Sequence, residues 1–193
     1  MNASKIIDQL VTTGAAPVLK AEHFTKSNFD FHRRQGSVVQ VVNFQRSEHT
    51  STGEGAFFVN IGIAFDELWR LQGLDLNGSM RRYLEKPLEH ECHFRSRLES
   101  LIADCPRWWV VSDGDVSFYR EKSQTKGQEV ITAPDDIALA AHLLTDCMNR
   151  LIAELDGIDG PKTYLAHRWR EVSPNQGITQ QLARLLDSNA SPA

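Results

Sequence analysis

The chain lacks any hydrophobic run approaching the ~18 residues of a membrane-crossing helix, so no span is expected. Positive charge is in deficit. A formal net charge of −4 argues against a general affinity for nucleic acid or for an anionic membrane. Cysteine is scarce: Cys92, Cys105 and Cys147 are odd in number and widely spaced, which is not a disulfide framework. No CxxC pair points to zinc, and reduced thiols in a cytosolic protein are the simplest reading. The segment Met1-Asn-Ala-Ser-Lys5 lacks the long apolar core of a signal peptide, so the expected compartment is the cytoplasm. GxSxG, HExxH, P-loop and GxGxxG patterns are also missing, so no enzyme class is selected and no cofactor is expected.

What is present is an ordinary globular composition, 41% hydrophobic and 24% charged over 193 residues. That length suits one domain with a real core. The expected organisation is a single α+β domain over residues 1–172, followed by a C-terminal helix and frayed tail over 173–193.

The apolar spacing predicts a short helix from Ser4 to Thr13 with Gly14 as its stop, and a second helical piece starting near Pro17. Phe24 to Arg34 alternates like a half-buried strand, and Gln35-Gly36-Ser37 is a turn signal. Val38 to Ser47 is apolar on both faces, as a central strand covered on both sides would be. A loop over Glu48 to Gly55 leads to a third strand, Ala56 to Phe65, with Phe57, Val59, Ile61 and Ile63 on one face and Phe58, Asn60 and Gly62 on the other. Asp66 to Glu89 has no clean period and reads as a long excursion with a helical turn or two. Glu91 to Leu98 and Trp108 to Val111 complete a sheet of about four to five antiparallel strands. Thr132 to Leu155 carries the apolar stripe Ile137, Ala141, Leu144, Met148, Leu151 and Leu155. It predicts a long helix over about 133–155, opened by a capping-box spacing from Thr132 to Asp135. Ser173 to Gln176 repeats a start signal before a last amphipathic helix through Ile178, Leu182 and Leu185. Strands followed by helices indicate an α+β architecture, an antiparallel sheet packed against helices.

Several landmarks together resemble a bacterial family known only as domain of unknown function 4304. They are Phe24-Thr-Lys26, Phe31-His-Arg33, Gln40-Val-Val-Asn-Phe-Gln-Arg-Ser47, Asn60-Ile-Gly62, Cys92-His-Phe-Arg-Ser-Arg-Leu98 and Trp108-Trp109, in the family's order. The resemblance covers roughly residues 16–155. One departure is His23, where family members often have glycine. The resemblance implies a compact domain and no established activity, cofactor or substrate.

Three groups of residues are candidates for function. The first is Asn43, Gln45, Asn60, His93, Arg95 and Arg97, polar groups on strand-like segments. Neighbouring strands would gather several of them on one surface, where guanidinium forks and amides suit a carboxylate or phosphate. The structural alternative pairs Arg95 and Arg97 with Glu85, Glu89 or Glu91, while Asn43 and Asn60 satisfy backbone at strand ends. The second group, His90-Glu-Cys-His93, has metal-capable side chains that a strand would split between two faces, so no metal site is expected. The third is aromatic: Trp108 beside Trp109, and His167-Arg168-Trp169-Arg170, whose Trp/Arg composition is common at protein interfaces. The expected function is a non-enzymatic cytoplasmic binding or protein-interaction domain. The alternative is a small-anion-binding protein or enzyme using a His/Arg pocket on the sheet. The expected partner is accordingly a protein or a small anionic ligand.

Overall fold

The computed structural model describes residues 2–48, 51–76, 81–112, 115–121, 128–133 and 137–166. The Ser173–Leu185 helix, the tail and Arg168, Trp169 and Arg170 lie outside them. Among the described residues, eight strands form one antiparallel sheet: β1 (Thr25–Ser27), β2 (Asp30–Gln35), β3 (Val38–Arg46), β4 (Glu54–Phe65), β5 (Phe94–Arg97), β6 (Trp108–Ser112), β7 (Asp115–Glu121) and β8 (Gln128–Ala133). The α+β class and the antiparallel sheet are as the sequence indicates; the sheet is larger than the four to five strands expected. The order is β1-β2-β3-β4-β6-β7-β8, with β5 also paired to β4. Short turns set the first registers. Asn28 and Gly36 take positive φ, +56° and +58°, in the tight links from β1 to β2 and from β2 to β3.

The helices are α1 (Ala3–Leu10), α2 (Ala16–Ala21), α3 (Asp66–Leu71), α4 (Arg81–Glu85), α5 (Leu98–Leu101), α6 (Ile137–Leu155) and α7 (Pro161–Ala166). Gly14 does not stop the first helix. A π-helical turn over Val11–Ala15 carries the chain from α1 straight into α2. The reason is tertiary: a Cβ on Gly14 would lie 2.7 Å from the Ala141 carbonyl oxygen, so glycine admits α6 at this point. Thr145 of α6 closes the contact by donating its hydroxyl to the Gly14 carbonyl at 2.8 Å. The long helix is described from Ile137; Ala133 belongs to β8, and residues 134–136 lie outside the described residues. At the end of α2, His23 adopts φ +64°. The Phe24 amide reaches the Leu19 carbonyl and the His23 amide the Lys20 carbonyl, a Schellman ending. A left-handed residue is needed there, which is why glycine suits the position and histidine holds it at some cost.

One face of the sheet carries Phe31, Val38, Val42, Phe44, Phe57, Val59, Ile61, Ile63, Phe65 and Trp109. It packs under α1, the π turn, α2, α6 and Tyr164 as the main core. Two polar residues of that face are satisfied by the end of α6. Gln40 donates from Nε2 to the Leu155 carbonyl at 2.9 Å and accepts from Arg33 Nε at 2.8 Å. Arg33 lies over the Phe24 ring at 4.7 Å and brings Nη2 within 2.7 Å of Asp156, a charge contact rather than an aligned hydrogen bond. A cation at the carboxyl end of a helix also meets its exposed carbonyls favourably.

The opposite face is half covered. The excursion after β4 lays Trp69, Leu74, Leu76, Leu84 and Cys92 over Val39, Val41 and Ala64. Both sides of β3 are therefore buried only from Val38 to Val42; Asn43 is half-buried and Gln45 exposed. Gly62 makes this cover possible, since a Cβ there would meet Cys92 Sγ at 2.7 Å, Cys92 Cβ at 3.0 Å and the Glu89 carbonyl at 3.2 Å. Replacing Gly62 by alanine is expected to lift the excursion and cost about 1–2 kcal/mol. A lower urea midpoint with faster alkylation of Cys92 would show it; unchanged alkylation would count against this packing.

Candidate functional site

Beyond the part covered by the excursion, the second face carries a row across four strands. Asp30, Asn43, Asn60 and Arg97 are register partners on β2, β3, β4 and β5. Asn43 donates from Nδ2 to Asp30 at 2.7 Å, and Asn60 donates from Nδ2 to both Asn43 Oδ1 and Gln45 Oε1 at 2.9 Å. The amides thus satisfy one another and a carboxylate, not the backbone at strand ends. Their inclusion in the sheet costs little, because each buried polar group has a partner. Asn60 is only 4% exposed, so the row is a structural base more than a contact surface.

Arg97 closes the row and is not consumed by it. Its guanidinium lies over the Phe58 ring at 4.5 Å, and Nη1 is buried without a hydrogen-bond partner. Phe58 in turn meets Trp108 edge-on at 5.2 Å, and Trp108 is 36% exposed. Trp109 points the other way and is fully buried, stacked on Phe57 at 5.5 Å. The two tryptophans therefore divide between core and surface as alternation along β6 requires. Arg97, Phe58 and Trp108 form one cation–aromatic patch, flanked by the exposed side chain of Gln45.

The structure brings together Asn43, Gln45, Asn60, Arg97 and Trp108 and places His93 and Arg95 elsewhere. Arg95 is bound to Glu89, Nε to Oε1 at 2.7 Å and Nη2 to Oε2 at 3.0 Å, which holds its guanidinium pKa above the ordinary value. His93 precedes β5 and turns under Trp69, where Nδ1 accepts the Phe65 amide at 3.0 Å. Burial lowers its pKa to about 4, so it is a neutral structural imidazole near pH 7. His32 is similar: burial lowers its pKa, and Nε2 meets the Pro87 carbonyl at 2.9 Å. Burial, with Glu89 next, pushes the Cys92 thiol far up, the opposite of an activated nucleophile.

Phe58 is the site residue that the polar pattern alone passes over. Its signal was its place on the same strand face as Asn60. Away from the patch, a cleft of about 240 Å3 is lined by Arg34, Asp66, Leu76, Arg81, Leu84 and Glu85. Its charges are spent on each other, Arg34 with Asp66 at 2.9 Å and Arg81 with Glu85 at 2.7 Å. No cluster of histidine, cysteine and carboxylate able to hold a metal ion occurs among the described residues, nor is any described helix long and apolar enough to cross a membrane.

Fold and site together define an α+β domain whose sheet is covered on one face and half covered on the other, leaving a cation–aromatic surface. The chain belongs to the family described as Domain of unknown function (DUF4304), whose model matches residues 15–127. That span runs from the π turn past β7 and holds every residue of the patch. No curated protein and no solved structure matches the chain.

Proposed function

We propose that this chain is a non-enzymatic binding domain of the bacterial cytoplasm that receives a carboxylate-bearing, partly apolar segment of a partner protein on the patch of Arg97, Phe58 and Trp108. The observation that carries the reading is the Arg97 guanidinium, a half-buried side chain lying over the Phe58 ring at 4.5 Å with no carboxylate against it among the described residues. Arg95, two residues earlier, has a carboxylate in full; Arg97 meets none among the described residues. A planar guanidinium already lying over a ring is placed to donate paired hydrogen bonds to a carboxylate, and the adjoining indole supplies apolar area of the kind that dominates protein contacts. The exposure of Trp108 and Gln45 at the patch favours a protein segment over a small anion, which would need enclosure.

The test is selection of a random peptide library on the purified domain, followed by affinity measurement on Arg97→Met. Methionine keeps the apolar stem and drops the charge. Selected peptides are expected to carry Asp or Glu beside an aromatic or aliphatic residue, and to bind Arg97→Met about 10- to 30-fold more weakly. Equal binding by Arg97→Met, or selection with no acidic preference, would reject the reading.

A further inference from the structure

The main core contains a pair of thiols that the odd cysteine count conceals. Cys105 lies in the segment between α5 and β6, and Cys147 lies in the middle of α6; both are buried in the same cluster. Their Sγ atoms are 2.7 Å apart. The ordinary sulfur contact in this protein, Cys92 Sγ to the Leu88 carbonyl, is 3.6 Å. A covalent sulfur–sulfur bond needs about 2.05 Å, so the pair stands between bonding distance and a loose contact, somewhat nearer the first. The same segment is tied to the same helix three residues on, where Arg150 Nη2 donates to the Ala103 carbonyl at 2.6 Å. Two attachments on one helix face hold the sulfurs in register. Cys92 cannot compete, because it is packed on the opposite face of the sheet, over Gly62.

We propose that Cys105 and Cys147 are a reversible oxidative modification site, joined into an intramolecular disulfide by a small two-electron oxidant of the peroxide class. One sulfur attacks a peroxide oxygen, the O–O bond breaks and the first water leaves. The second sulfur then attacks the sulfenic sulfur, the S–S bond forms, the S–O bond breaks and the second water leaves. Two thiols and one hydrogen peroxide thus give one disulfide and two waters, and a dithiol reductant reverses the change. Both sulfurs are buried and the Cys147 thiol is pushed well up by its hydrogen bond with Cys105 and by burial, so the reaction is slow and suits a small neutral oxidant. A reversible bond is also the kind that a reducing cytoplasm tolerates.

The test is peptide mapping of the full-length protein after exposure to hydrogen peroxide, denaturation and alkylation with iodoacetamide. The expected result is a cross-linked peptide pair holding Cys105 and Cys147, alkylation at Cys92 alone, and recovery of all three alkylated thiols after dithiothreitol. The two cysteines are 42 positions apart, so the oxidised protein should melt roughly 10 °C higher than the reduced one. Three alkylated thiols after peroxide treatment, or a bond that includes Cys92, would overturn the assignment. Peptide mapping of the wild-type protein needs no cysteine variant to fold.

Discussion

Replacing Gly14 by valine is expected to destabilise the protein by about 3 kcal/mol or more. Two effects oppose each other at this position, and their sizes decide. Gly14 sits in a helical run, where alanine would ordinarily gain up to ~1 kcal/mol by reducing the freedom of the unfolded chain. Against that, the first added carbon would lie 2.7 Å from the Ala141 carbonyl oxygen, 3.1 Å from Ala141 Cα and 3.2 Å from Leu144 Cβ. Two of these are backbone atoms of α6, which cannot swing aside as a side-chain tip can. Valine adds two methyl groups, forgoes the propensity gain, and forces the helices apart at the point where Thr145 bonds the Gly14 carbonyl. Urea denaturation checks the loss: a midpoint equal to that of wild type would mean that α6 does not lie so close. Alanine should fall between the two.

Stability should also fall steeply on mild acidification, by about 3 kcal/mol from His93 alone. Its pKa is lowered from 6.5 to about 4 by burial. Above pH 6.5 the imidazole is neutral in both folded and unfolded chains, and the full stability is present. Between pH 6.5 and 4 the unfolded chain takes up a proton that the native state refuses, so stability drops as pH drops. Below about pH 4 both states are protonated and this contribution stops changing. The structural cause is explicit: Nδ1 is committed to the Phe65 amide, and Nε2 is buried without a partner, so a second proton has nowhere favourable to sit. His32 adds in the same direction. Denaturation midpoints measured across this range check the sign. His93→Asn, whose amide oxygen can still accept from Phe65, should be less stable at pH 7 and lose less stability than the wild type between pH 6.5 and 4, with the His32 share remaining. A wild type that gains stability between pH 6.5 and 4 would contradict the burial of this ring.

Much of the sheet was legible because β3 is apolar on both faces and β4 is apolar in alternation with Asn60 and Gly62. Phe57, Val59, Ile61 and Ile63 announce the core face, and the same alternation sets Asn60 and Phe58 on the other. What was hidden has physical reasons. In the sequence, Arg120, Glu121, Lys122 and Gln124 dilute any apolar pattern near β7, and an edge hairpin has less need of one. Gly14 looked like a stop because glycine so often ends helices; its use as a near-contact with α6 depends on a residue 127 positions away, the Ala141 carbonyl. Asn43, Gln45, Asn60 and Arg97 converge as alternation suggested; Arg95 shares their sheet face but is taken up by Glu89, and His93 precedes the strand. Strand β5 starts at Phe94, and a short 3-10 turn over Glu89–Glu91 delivers a carboxylate to Arg95. No spacing rule carries that information.

The two occupants of one edge of β4 have a kinetic meaning. β6 pairs with its first part, from Glu54 to Phe57, and β5 with its second, from Asn60 to Ile63. Arg97 and Trp108 arrive on separate strands and meet only over Phe58, at the fork between them. Such distant pairings are slow to form, since each must close a long loop first. The patch therefore assembles only once both strands have docked, and partly folded chains do not possess it. A partner recognising it would bind the finished fold selectively and draw the folding equilibrium towards that state by mass action.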